Sequence, residues 1–242
     1  MFHLRSVHAL LVTTLMLAGC SQDETAQMDT AVATEVAEPA VPESLPMGGE
    51  KSVMSFFVTS VGGGNGGDLG GLAGADAHCQ ALADTEFAGD HEWRAYLSAM
   101  PTETAPAVNA RDRIGRGPWY NGEGTLVAAN LEALHGEATN INKGAAVTQR
   151  LDTLNGVGDT PNMHDILTGS QSDGTAFERT TDSTCGNWTS SDNGSAQVGH
   201  HDRAGGGSDA SSWNSAHPSL GCSQESLEET GGAGLIYCFG AD

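Results

Sequence analysis

The chain has 242 residues, 31 Asp and Glu against 10 Lys and Arg, a formal charge of −21 and only 5% aromatic residues. That acidity excludes nucleic acid and heparin-like polyanions as partners, because a polyanion is held by a basic face. A halophilic or marine source would also account for the acidity, so charge alone names no ligand.

The first nineteen residues carry one cation, Arg5, and then an apolar run from Ala9 to Leu17 broken by Thr13 and Thr14. This is the n-region and h-region plan of a secretory signal, and the run is shorter than the about 20 residues that cross a bilayer. It closes on Leu17-Ala18-Gly19-Cys20, which resembles the lipobox of bacterial lipoproteins. The resemblance implies cleavage before Cys20, diacylglycerol on its thiol, palmitate among the acyl chains of that cysteine, and an address in the cell envelope. Ser21 in place of Asp fits sorting to the outer membrane. The lipid bilayer is then the first expected partner.

Residues 20–50 follow as a linker with seven acids, three prolines and no aromatic residue. Too little apolar surface is available there to offset chain entropy, so the segment reads as a disordered acidic tether. The expected organisation is a signal peptide at 1–19, the lipidated cysteine and tether at 20–50, and one folded domain at 51–242. That domain has 24 acids against nine Lys and Arg, a formal charge of −15.

Residues 54–59 read as the first strand of the domain. Residues 61–71, Val61-Gly62-Gly63-Gly64-Asn65-Gly66-Gly67-Asp68-Leu69-Gly70-Gly71, contain fragments of both G-x-G-x-x-G and the G-G-x-G-x-D calcium repeat. A dinucleotide site needs a following βαβ unit and a calcium solenoid needs many copies. The stretch therefore reads as a turn that lets backbone segments approach closely. Leu72, Ala75, Cys79 and Leu82 recur at helical spacing and predict a helix over 72–84 with Cys79 on its buried face. Trp93-Arg94-Ala95-Tyr96-Leu97-Ser98 alternates like a half-buried strand. Residues 126–135 predict a second helix, and short strands are expected at 165–168, around Trp188, at 196–199 and at 234–239. The fold class is α+β, loop-rich, with helices early and strands late.

With Cys20 taken by lipid, Cys79, Cys185, Cys222 and Cys238 remain. Four thiols in an exported domain suggest two disulfides, with three connectivities open. No CxxC or Cys/His ligand spacing occurs, which disfavours a structural zinc site.

Gly74-Ala75-Asp76 with Cys79, then Trp93-Arg94-Ala95-Tyr96-Leu97-Ser98, resembles the start of endostatin, the C-terminal domain of certain collagens. Gly169-Ser170 through Gly174, Thr181 to Cys185-Gly186-Asn187-Trp188, Cys222 and Leu235-Ile236-Tyr237-Cys238 extend the likeness over most of 53–239. It is strongest to bacterial secreted proteins with an endostatin-like, C-type-lectin-like domain. The resemblance implies a nested pairing, Cys79 with Cys238 and Cys185 with Cys222. Chain-entropy arithmetic assigns these loops about 5 and about 4 kcal/mol before strain. The resemblance also implies a non-enzymatic binding module, lectin-like, that recognises a glycan or an envelope or extracellular protein. The zinc histidines and heparin arginines of the animal domain are absent. Thr160-Pro161-Asn162 and Trp213-Asn214-Ser215 are only partial echoes of a sugar-binding calcium site.

Two histidine–acid groups, His164-Asp165 and His200-His201-Asp202 with His217 nearby in sequence, have ligand types suited to zinc or another divalent ion. Hydrogen-bonded loop residues are the plainer expectation, since adjacent strand residues point to opposite faces. Asp173, Asp182, Asp192 and Asp209 lie in Gly-, Ser-, Thr- and Asn-rich segments and would suit calcium, with solvated loop charge as the alternative. Trp119-Tyr120, Trp188 and Trp213 are candidate ligand-stacking aromatics, though in an aromatic-poor domain such residues more often form the core. No catalytic motif is present: no G-x-S-x-G, no H-E-x-x-H and no Walker loop. The competing expectations are an envelope hydrolase whose carboxylates or histidines converge in the fold, and a purely structural envelope component.

Overall fold

The computed structural model describes residues 51–242 apart from 64, 179, 180, 207 and 208. The expected signal, Cys20 and tether lie outside the described residues. Among the described residues no helix is long and apolar enough to cross a membrane.

The fold is mixed α and β, framed by one strand. β8 (Gly232–Gly240) pairs antiparallel with β1 (Phe56–Val58) and β2 (Trp93–Ala95), and parallel with β5 (Asp165–Leu167). β6 (Gln197–His200) pairs antiparallel with β5, and the two-residue β7 (His217–Pro218) closes the sheet edge, giving the order β1-β8-β5-β6-β7 with β2 also on β8. A separate ribbon joins β3 (Trp119–Tyr120) to β4 (Leu126–Ala128). The Leu-Ile-Tyr-Cys-Phe run of β8 is buried throughout, as a strand covered on both faces must be. Its residues divide by the two-residue period: Ile236 and Cys238 face one core with Phe57, Trp93 and Leu167, while Leu235, Tyr237 and Phe239 face another with Phe56, Tyr96 and Trp119.

Helix α1 (Gly71–Thr85) covers the first core, one residue longer at each end than predicted. Its buried face is Ala75, Asp76, Cys79 and Ala83, with Leu72 and Leu82 only partly covered, so the stripe is rotated from the one the leucines suggest. Asp76 turns inward because cations meet it there. Arg113 donates to both of its oxygens at 2.7 Å, Arg94 to one at 2.7 Å, and the Ala95 N–H to the other at 2.9 Å.

Several expectations are corrected. Residues 126–135 are not one helix: Leu126–Ala128 pairs with β3, and α2 (Leu131–His135) starts only where the Asn130 side chain accepts the Ala133 N–H. The segment around Trp188 is not a strand but a tight turn, α3 (Cys185–Trp188), with positive φ at Cys185, Gly186, Asn187 and Trp188. Nor do helices precede strands, since four strands come before β5 and α4 (Gln224–Thr230) comes late.

The cysteines pair Cys79 with Cys238 and Cys185 with Cys222, each at a Cα–Cα distance of 5.6 Å. The first joins α1 to β8 and the second joins α3 to the chain entering α4. The glycine turn allows the close approach expected of it. A Cβ at Gly67 would lie 2.6 Å from the Cys185 sulfur, and one at Gly62 would lie 2.8 Å from the Ala233 carbonyl oxygen.

Candidate metal centre

Strand register assembles the site. Asp165 on β5 stands directly opposite His200 on β6, and His217 on β7 stands opposite Val198, two residues from His200. Residues that are opposite, or two apart on neighbouring strands, project from one face, so these three side chains converge. His164 would face the other way in a regular strand. His164 lies just before β5, outside the regular strand, and its ring sits on the same side as Asp165 and His200. The His164 and His200 rings then stack with centroids 4.1 Å apart.

The reactive atoms point at one another. Asp165 Oδ1 lies 3.2 Å from His164 Nε2, 3.2 Å from His200 Nε2 and 3.6 Å from His217 Nε2. The Nε2 atoms of His200 and His217 are 3.0 Å apart. Ligand atoms of His164, Asp165 and His200 all fall within 4.8 Å of one another, and these three residues are buried.

The outer nitrogens fix which atoms carry protons. His200 Nδ1 donates to the Ala210 carbonyl at 2.8 Å and His217 Nδ1 to the Pro218 carbonyl at 3.1 Å, because a carbonyl can only accept. His164 Nδ1 faces Asp202 Oδ1 at 3.4 Å, and Asp202 is itself held by the Val157 and Ala204 N–H groups. Those backbone bonds outweigh burial and keep the Asp202 carboxyl below its ordinary pKa. In neutral His200 and His217 the Nε2 is therefore a bare lone pair beside the carboxylate, whereas His164 lies between Asp165 and Asp202 and can carry its proton toward either. Neither oxygen of Asp165 has a hydrogen-bond donor beyond these rings, although its side chain is 2% exposed.

A buried carboxylate ringed by lone pairs is costly unless a cation or shared protons sit among them. Burial opposes charging of His200, yet Asp165 and the Ala210 carbonyl outweigh it, so its pKa stands above the ordinary histidine value. The electrostatic demand for positive charge at this point is thus expressed in the protein itself. Glycines close the pocket: Gly205 and Gly231 have positive φ, and a Cβ on either would lie 3.2 or 3.3 Å from the His164 ring.

Of the predicted metal residues, His164, Asp165 and His200 come together and Asp202 backs His164. His201 does not join them. Its Nε2 donates to the Asn155 carbonyl at 3.1 Å, its Nδ1 has no partner, and burial holds its pKa below the ordinary value. His217, noted in sequence only for its proximity, belongs to the cluster; the signal that finds it is the β6–β7 register. Asp173 and Asp182 are satisfied within their own turns, by Thr175 and by Thr184 and Gly186. Among the described residues they join no group with Asp192 or Asp209 that could hold a metal ion.

The candidate stacking tryptophans are core. Trp119, Trp188 and Trp213 are 1%, 0% and 4% exposed, and their indole N–H groups donate to the Gly240, Ser98 and Leu134 carbonyls. A buried ring with its one donor satisfied has no face left for a ligand. No protein-family model matches the chain, and no curated protein matches it in sequence.

Proposed function

We propose that this chain is a lipid-anchored, extracytoplasmic binding module, lectin-like in fold and non-enzymatic, whose domain holds one divalent transition-metal ion at His164, Asp165 and His200. One observation carries the metal reading: the Asp165 carboxylate is buried without a donor and is approached by imidazole nitrogens whose opposite edges are already committed to acceptors. Imidazole and carboxylate together suit zinc better than calcium, which prefers six to eight oxygens. Asp202 behind His164 repeats the carboxylate–histidine arrangement that orients metal-bound imidazoles. The lipobox-like Leu17-Ala18-Gly19-Cys20, the acidic tether and the two disulfides support display in an oxidising envelope compartment. Ligand recognition, of a glycan or an envelope protein, would then be the work of the domain surface.

The test is calorimetric titration of zinc chloride into the full mature chain in detergent after chelator treatment. One equivalent is expected to bind, and Asp165→Asn, which keeps the shape and removes the charge, is expected to weaken binding at least about 100-fold, more than the loss of an outer partner. Absence of stoichiometric uptake by the unaltered chain overturns the reading.

A further inference from the structure

The three clustered residues alone would leave a metal ion with an open position for water, the arrangement of a hydrolytic centre. His217 decides against that. We propose that His217 is the fourth ligand of a closed tetrahedral zinc site, and that the ion ties the edge strand β7 to β5 and β6. This rests on the metal reading above and specifies what the ion does there.

The distances carry the first half. A tetrahedral ion with bonds of about 2.0–2.1 Å holds its ligand atoms about 3.3–3.4 Å apart. Four of the six edges, those around Asp165 Oδ1 and the His200–His217 pair, are 3.2, 3.2, 3.6 and 3.0 Å and straddle that value; His217 stands outside the group of three whose ligand atoms all lie within 4.8 Å of one another, so closing the tetrahedron brings it toward His164. His217 Nδ1 is committed to the Pro218 carbonyl, so the nitrogen facing the cluster is the one free to ligate.

Ahead of β7 the chain is already held by buried Trp213 and Asn214, so what the ion adds falls on β7 itself. The strand has two residues, one of them a proline without an N–H, and it pairs with β6 only through Gln197↔Pro218 and Val198↔His217. The His217 side chain is 32% exposed, whereas His164, Asp165 and His200 are at most 8% exposed. It is therefore the ligand able to swing away. A closed four-ligand site leaves no position for an activated water, which makes the ion a structural clamp and agrees with a module that binds rather than cleaves.

The test uses the full chain loaded with cobalt chloride or zinc chloride, comparing the unaltered protein with His217→Gln and with His217→Ala. The cobalt-loaded unaltered protein is expected to show the intense visible bands of a four-coordinate ion. Both variants are expected to show weaker bands of higher coordination and affinity reduced more than about 100-fold, beyond the loss caused by removing an outer partner. Zinc is expected to slow exchange of the Ala216 and Ser219 amides, which bond β6 and the residue just ahead of it on either side of β7, in the unaltered protein and not in the variants. Circular dichroism matching the unaltered chain shows that the variants fold. Metal uptake with the same spectrum, affinity and exchange in the variants overturns this inference and leaves the metal reading standing. No uptake by the unaltered chain overturns both.

Discussion

His135 lies between Tyr96 and Trp213, with Nδ1 donating to the Leu131 carbonyl and Nε2 accepting the Tyr96 hydroxyl at 2.7 Å. The Tyr96 oxygen in turn accepts from Asn214, so one line of hydrogen bonds runs through the second core. Burial lowers the His135 pKa, with Arg111 adding to the effect, while the Leu131 bond and Asp173 oppose it. The unfolded chain takes up this proton more readily than the folded one. The contribution to stability is therefore complete above the ordinary histidine value of about 6.5 and is lost as pH falls below it toward the lowered folded value. The melting temperature is expected to fall between pH 7 and pH 5, and to fall less in His135→Gln. Equal slopes in both proteins, measured by thermal denaturation at the two pH values, would contradict this account.

At the scale of elements, strand pairing sets most of what the site needs. β6 and the loop ahead of β7 cross so closely at Gly199 that a Cβ there would strike the Trp213 carbonyl oxygen and the Asn214 Cα. Because the obstacle is backbone, Gly199→Ala is expected to cost about 1–3 kcal/mol in denaturant unfolding and to weaken metal binding by displacing His200. The sequence pattern shows α1, β2, β5, β6 and β8 near their true positions because each has a periodic or continuous apolar signal. It misleads at 126–135, where a local cap at Asn130 overrides a merged helical pattern, and at Cys185–Trp188, where a disulfide and a packed indole impose a left-handed turn. At the site, residue types name His164, Asp165 and His200, but they also suggest His201, which faces Asn155. They cannot set His217 apart, because its membership depends on register across the β6–β7 pair. Asp76, whose ion pairs bind α1 to Arg94 and Arg113, enters the sequence reading only within the Gly74-Ala75-Asp76 resemblance and is absent from the apolar α1 pattern, which gives no sign of its burial.

For the whole molecule, stability is expected to come from two cores on either face of β8 and from two covalent ties. The ties are worth at most about 5 and about 4 kcal/mol on chain-entropy grounds, large beside a usual stability of about 5–15 kcal/mol. Both tie points lie away from the metal cluster, so the ion would act where no disulfide does, on β5, β6 and β7. The anchoring proposal belongs to this scale. Cys20→Ser is expected to shift the chain from the membrane fraction to the soluble fraction without altering either disulfide, and intact mass measurement is expected to find acyl chains on Cys20 of the unaltered protein. A membrane-bound Cys20→Ser variant would refute the anchor.

The strand that pairs with β1, β2 and β5 is β8, and it is synthesised after all of them. Until residues 232–240 leave the ribosome, β1 and β2 lack their partner, β5 has only β6, Cys79 lacks Cys238, and the first core has no floor. A growing chain of this topology stays unfolded while it is being made, and its many distant pairings make folding slow once it is complete. Such a delay would suit export through a translocation channel, as the proposed envelope address requires.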